Sequence, residues 1–272
     1  MTRHPLDEPV WASLTGAHRH LAQGGDLARR YPPDVSPFHA LADPRDEEAW
    51  AQLREVAGAG AQVLLPVLDA DVLDAPLPAG ARLVRVLPGV QLVATGALAA
   101  DAADADPGVV VLGEADVPEV LDLVERTQPG PFGPRTPLLG TYLGVRDDGG
   151  RLVAMAGERL RPPGFTEVSA VCTDPAARGQ GLASRLVRAV AAGIAARGET
   201  PFLHALGERG GAAAVRGAGV PAAAHRPVPP RRTAVNGRTA VNGRTAVSGR
   251  AAVDGGVGVA SRHGPLRGGA PA

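Results

Sequence analysis

Val168–Val190 reads VSAVCTDPAARGQGLASRLVRAV, and this stretch decides the fold. Its first residues are β-branched and small, suited to a strand that runs to Cys172-Thr173 and stops at Asp174-Pro175. From Gly181 onward Leu182, Leu186, Val190 and Ile194 recur on one helical stripe, and Gly198 suits the stop. Between strand and helix lies Arg178-Gly179-Gln180-Gly181-Leu182-Ala183. Glycines let the backbone approach a ligand, the first helical N–H groups have no partner inside the helix, and the helix dipole favours negative charge. Arg178 adds a positive charge that persists at any working pH. The turn is therefore a candidate anion site of a size that suits a pyrophosphate. It is not a dinucleotide fingerprint: Gly179-x-Gly181-x-x-Ser184 carries Ser at the third small position, and its first Gly lies six residues beyond the strand.

Outward from this stretch the elements come in a readable order. Upstream, 141–146 (TYLGVR) and 151–160 (RLVAMAGERL) flank an Asp-Asp-Gly-Gly turn, a strong hairpin signal. Pro162-Pro163-Gly164 makes the next turn into 165–173, so the spacing predicts an antiparallel three-strand meander. Before it, 108–113 (GVVVLG) reads as a strand and 115–127 as an amphipathic helix with Val117, Val120, Leu121 and Val124 inward. Downstream, 201–205 (PFLHA) reads as one more strand. The first hundred residues predict a helix over 46–56 and short strands in 61–68 and 83–87, with Pro66 breaking the first. Ala97–Pro107 (ALAADAADADP) lacks large apolar residues and marks a domain boundary. The division expected is an N-terminal α/β region 1–105, a second domain 106–208, and a tail 209–272.

Composition narrows the classes. The 272 residues hold 28 basic and 28 acidic side chains, every basic one Arg, and a single cysteine, Cys172. One cysteine excludes a disulfide scaffold and a Cys-based zinc site, and no metal is expected. Without an apolar leader or a run of 18 apolar residues, the chain reads as cytoplasmic with no membrane partner. Zero net charge argues against bulk electrostatic binding of nucleic acid. The balance hides a split: from Arg209 onward there are ten Arg and one acid, Asp254, against 18 Arg and 27 acids before it. Those last 64 residues hold no Phe, Trp, Tyr, Met, Cys or Ile and a four-fold hexapeptide repeat from Arg232 to Gly255 (RTAVNG, RTAVNG, RTAVSG, RAAVDG). They have too little apolar area to offset ordering and read as a disordered low-complexity tail. Lacking aromatics to stack on bases, the tail is not read as a nucleic-acid arm.

Arg178-x-x-Gly181-x-Ala183, after a strand ending VCT-DP and before a long helix, resembles the pyrophosphate motif of the GNAT superfamily of acyl-CoA-dependent N-acyltransferases. The order strand, helix, loop, meander, motif helix, strand over about 106–207 is similar to that fold too. The resemblance implies an α/β (α+β) architecture, a mixed sheet with a central antiparallel meander flanked by helices. It implies acetyl-CoA as cosubstrate, an amine acceptor (small molecule or protein), and an N-acetyltransferase activity. It assigns the backbone of Gly179, Gln180, Gly181, Leu182, Ala183 and Ser184, with Arg178, to the pyrophosphate, and the main chain of Val171, Cys172 and Thr173 to the pantetheine arm. The reaction needs a base near the amine; Glu167 on the motif strand is the candidate, with Glu158 and His204 behind it. Cys172 reads as a small apolar residue rather than a nucleophile. The N-terminal region would be a degenerate second copy of the fold. The loop 130–140 lies where the family binds its acceptor.

After 205 the resemblance breaks. The family continues with a helix of the pattern N-x-A-A-x-x-L-Y-E-x-L-G-F, whose tyrosine protonates the leaving thiolate; this chain reads LGERGGAAAVRGAGVPAAAH, and its only tyrosines are Tyr31 and Tyr142. Read one base later, the codons open to Ala212–Pro221 can encode L-R-L-Y-E-A-L-G-F-R, the missing helix in order. The reading is a frame change near Glu208–Arg209 that truncates the fold at its C-terminal end. The alternative function is then a catalytically impaired acyl-CoA-binding protein or inactive remnant. The oligomeric state has no signature in the sequence.

Overall fold

The structure, a computed structural model, describes residues 4–67, 72, 76–94, 108–206 and the backbone of 246–253. In chain order its elements are α1 (Pro9–Thr15), β1 (Gln23–Gly24), β2 (Ala28–Arg30), β3 (His39–Leu41), α2 (Glu47–Ala57), β4 (Gln62–Leu65), β5 (Ala81–Val93), β6 (Val110–Leu112), α3 (Val117–Thr127), β7 (Tyr142–Arg146), β8 (Leu152–Glu158), β9 (Phe165–Thr173), α4 (Leu182–Ala196), β10 (Thr200–Leu206) and β11 (Ala246–Val253).

The two predicted turns produce the meander. Asp147 Oδ1 accepts from the amides of Gly149 and Arg151, and Gly150 takes φ +82°, so β7 folds back on β8. Gly164, at φ +80°, turns β8 into β9. β7, β8 and β9 pair antiparallel, and β6 extends them at one edge. β10 then runs parallel to β9, so the eight-stranded sheet, β4-β11-β5-β10-β9-β8-β7-β6, is mixed, with helices packed on it. A separate three-stranded sheet, β1-β2-β3, lies in the N-terminal region.

Each face of the sheet has its own cover. On one, the predicted stripe of α4, Leu182, Leu186, Val190 and Ile194, packs with Val187 and Ala191 against Ala154, Ala156, Val168 and Leu203. On the other, α3 buries Val120 and Leu123 against Leu112, Tyr142, Met155 and Cys172. Here the structure corrects the expected stripe: Leu123 is the fully buried residue, while Val117 and Leu121 are only half-buried. The helix starts two residues later than predicted, after a 3-10 turn at Glu114–Asp116, and turns its Val120, Leu123 and Val124 side to the sheet. The remaining area of that face is covered by the N-terminal region, where Leu6, Val10, Leu14, Tyr31, Val35 and Phe38 pack on Leu139, Leu160 and Phe202.

β4 stops at Leu65, immediately before Pro66, as expected. β5 runs well beyond the predicted 83–87 because its second half, Gly89–Val93, pairs antiparallel with β10. Thus a strand from the N-terminal region and one from the motif region share a ladder. The boundary expected at 97–107 lies outside the described residues. So does the tail, apart from Ala246–Val253, whose backbone pairs with β4 and β5.

Tyr142 supplies a stability test within this core. Its ring rests on Gly157, where a Cβ would come within 2.2 Å of it, and meets Phe132 edge-on at 5.4 Å. Its buried hydroxyl has no hydrogen-bond partner among the described residues. Tyr142→Phe keeps the packing and removes a group whose burial costs about 1–3 kcal/mol when unpaired. Its Tm should rise by about 2–12 °C. A thermal melt checks it, and a fall in Tm would contradict it.

Candidate functional site

The site begins as an irregularity in the meander. Met155 pairs with Cys172 but Gly157 pairs with Ser169, so β9 carries one extra residue over that interval. Ala170 absorbs it at φ +52°. Such a bulge bends the strand and sharpens its twist, and left-handed backbone at a non-glycine residue is strain of about 1–3 kcal/mol held by its surroundings. The consequence shows at the next strand. β10 pairs with β9 only over Thr200–Phe202, against Phe165–Glu167, and from there follows β5 instead. From Val168 to Thr173 the β10-facing edge of β9 has no strand partner among the described residues. A wedge opens between the two strands, lined on one side by main-chain groups of β9 that no strand pairs among the described residues. An extended amide-containing ligand can pair there as an added strand.

The wide end of the wedge leads to the glycine turn. Asp174 closes β9 by donating its amide to Val153 O at 2.8 Å, and its carboxylate caps a 3-10 turn, Pro175–Ala177, through Ala176 N at 3.0 Å. Arg178 follows, exposed, with Nε donating to Thr173 O at 3.3 Å. Gly179 and Gly181 take φ +82° and +75°, and no atom lies within 4 Å of where a Cβ would sit on either. Both glycines are therefore required by conformation, and the space above them is open. Gly181 is the N-cap of α4 and offers no side chain to the amides of the first turn, Leu182, Ala183 and Ser184. Those donors and the Arg178 charge make the turn an anion cradle.

At the narrow end, where β9 and β10 part, lies a buried polar cluster. Leu203 and Ala205 pack with α4, so His204 between them points to the opposite face. There its Nδ1 donates to Glu167 Oε1 at 2.7 Å, and its Nε2 faces the Gln91 amide nitrogen at 3.1 Å, which also donates to Leu6 O. Arg159 grips the same carboxylate with Nε at 2.8 Å and Nη2 at 2.6 Å, its guanidinium 4.9 Å above the Phe38 ring. Burial alone would raise the Glu167 pKa, but Arg159 and His204 outweigh it and hold the group at about 2. Glu167 is fully buried, so the candidate base of the sequence is a carboxylate shielded from solvent. The other named residues separate. Glu158 points to the α4 side and pairs with Arg197 at 2.8 Å. Cys172 is buried, which pushes its thiol pKa up, and lies among the apolar residues under α3.

A wedge in the sheet that leads from a buried polar apex to an anion-binding helix start suits a ligand with an extended amide arm and a diphosphate. Comparison with known proteins agrees. A solved structure from Novosphingobium aromaticivorans, assigned to the GNAT family of acetyltransferases, is 38% identical, with 93% of this chain and 100% of that one covered and a TM-score of 0.71. The chain belongs to the GNAT family. A GCN5-related N-acetyltransferase from Kribbella flavida shares the fold at 17% identity, with 91% and 95% covered and a TM-score of 0.53. The FR47-like protein family model matches residues 142–211. No curated protein matches the chain. The mixed sheet with its meander is the GNAT fold, and the chain is a GNAT-type acyltransferase.

Within this GNAT fold Val171–Thr173 end β9 and lead through the Pro175–Ala177 turn into Arg178–Ser184 at the start of α4. Sequence reading gave Glu167 no partners. Arg159 lies near the end of the predicted strand run 151–160, one residue beyond the observed β8, and looks like a surface arginine, and Gln91 lies 113 residues from His204. Only the strand order puts them at one level.

Proposed function

We propose that this chain is an N-acetyltransferase that moves an acetyl group from acetyl-CoA to the amine of a small molecule or protein. The observation that carries the reading is the wedge, open from Val168 to Thr173 and ending at the Gly179–Gly181 turn. In it, the main chain of Val171, Cys172 and Thr173 pairs with the pantetheine arm. The amides of Gly179–Ser184 and the Arg178 guanidinium hold the diphosphate. The amine nitrogen attacks the thioester carbon, the carbon–sulfur bond breaks, and the amine proton passes to a base while the thiolate gains one. A carboxylate held at about pH 2 has little proton affinity at neutral pH. Glu167, the base candidate of the sequence, therefore acts instead as the anion that orients Arg159 and His204 at the wedge apex.

A second reading is favoured by one observation. Beyond Leu206 the sequence departs from the family's tyrosine helix, and the family-model match ends at residue 211. A frame change near Glu208–Arg209 accounts for both, and the chain as translated is then an impaired acyl-CoA-binding protein. Thiol release from acetyl-CoA over an amine panel separates the two, run on this chain and on one with the frame restored after Glu208. Release by both supports the enzyme as it stands. CoA binding with release only by the restored chain supports the second reading. Release by neither, with no CoA binding, sinks the assignment.

A further inference from the structure

The diphosphate turn is anchored from outside its own segment. Arg126, in the last turn of α3, sends Nε to Asp174 Oδ2 at 2.9 Å and Nη2 to Leu152 O at 3.4 Å, and its Nη1 pairs with Asp122 on its own helix. The Asp174 side chain is 8% exposed, so its charge is compensated mainly by this guanidinium, with Arg151 more distant at 3.6 Å. The other carboxylate oxygen of Asp174 caps the 3-10 turn, and its carbonyl accepts from Ala177 N at 2.9 Å. Arg178 begins at the residue after that turn. A chain of short, directional contacts thus runs from α3 through Asp174 to the residues that face the ligand. The Asp174 pKa is lowered, first by the Ala176 amide and then by Arg126, which agrees with a carboxylate kept charged in this place.

We propose that Arg126 is a positioning residue for the diphosphate: by clamping Asp174 it fixes the orientation of the Arg178–Ala183 turn, without touching the ligand. This rests on the reading that the turn binds CoA. A guanidinium suits the task, because its fork holds Asp174 and the Leu152 carbonyl at once, a geometry that a point charge does not reproduce. The role predicts a selective defect. Loosening the turn weakens contacts to the diphosphate but leaves the β9 edge, which meets the pantetheine arm, unchanged.

The test is titration calorimetry on wild type, Arg126→Gln, Arg126→Lys and Asp174→Asn with two probes, CoA and pantetheine. Arg126→Gln should weaken CoA at least tenfold and pantetheine less than twofold, and Arg126→Lys should recover part of the loss. Asp174→Asn keeps an oxygen for the Ala176 amide and should reproduce the selective loss, which covers the case in which Arg126→Gln does not fold. CoA affinity within twofold of wild type in both Arg126→Gln and Asp174→Asn overturns the proposal. Equal weakening of both probes also overturns it, since that is general loosening. A wild type that binds no CoA overturns the functional reading itself, a result distinct from either.

Discussion

Gly181→Glu should abolish CoA binding, raising Kd more than a hundredfold, while the protein stays folded. Two effects act on the ligand together. The backbone at φ +75° disfavours any L side chain by about 1–2 kcal/mol, and a carboxylate would stand where the diphosphate must sit. The fold tolerates the change better than the ligand does. No atom lies within 4 Å of the new Cβ, and an acid at the N-cap favours the helix it starts. Gly181→Ala carries the backbone penalty without the charge, so it should lose a smaller part of the affinity. Calorimetry with CoA, alongside a thermal melt, reads both. If Gly181→Glu binds CoA within threefold of wild type, the turn does not hold the diphosphate.

Glu167→Gln should be the most damaging core substitution in the molecule. It leaves the Arg159 guanidinium buried with its charge unmatched, between Tyr31, Tyr142 and Phe38. Removing one member of a buried ion pair costs about 3–5 kcal/mol, most of it the desolvated charge left behind. Replacing both partners by apolar residues, Glu167→Leu with Arg159→Met, should be less damaging than the two single changes added together. The same pair sets a pH dependence. Because the folded-state pKa of Glu167 is depressed from 4.5 to about 2, its contribution to stability is fully present above about pH 4.5 and is lost as pH falls toward 2. Urea unfolding from pH 7 down to pH 2 measures both. A Glu167→Gln protein that unfolds within 1 M urea of wild type at pH 7 would show that the pair carries no such weight.

These two residues divide what local sequence reveals from what it does not. The glycine turn is legible because its causes lie within a few residues: two glycines at positive φ, an arginine, a proline and an aspartate before them, and a helix stripe after them. The meander is legible for the same reason, since Asp-Asp-Gly-Gly and Pro-Pro-Gly each set a turn by local backbone preference. Even the strand with the bulge, Phe165–Thr173, coincides with its predicted limits. The bulge itself left no mark: Ala170 is an ordinary residue, and its left-handed backbone follows from how β8 and β9 align. The short elements α1 and β1–β3 carry too few residues for a periodicity to show: α1 is ordered by packing on Leu139, Leu160 and Phe202, and Ala28 of β2 and Leu41 of β3 by packing on α2 and β4.

The surroundings of Glu167 came from the tertiary structure alone. Its carboxylate draws on Arg159, eight residues away, and His204, 37 residues away, and Gln91 reaches His204 across 113 residues. Whether a glutamate on a strand is a solvated charge or a buried anion depends on what covers its face. Here α1 and the segment around Tyr31 and Phe38 exclude water from it. Periodicity reports which residues share a face of one element. The identity of the neighbours on that face is settled only when distant strands pair, because desolvation and ion pairing are set by distance in space.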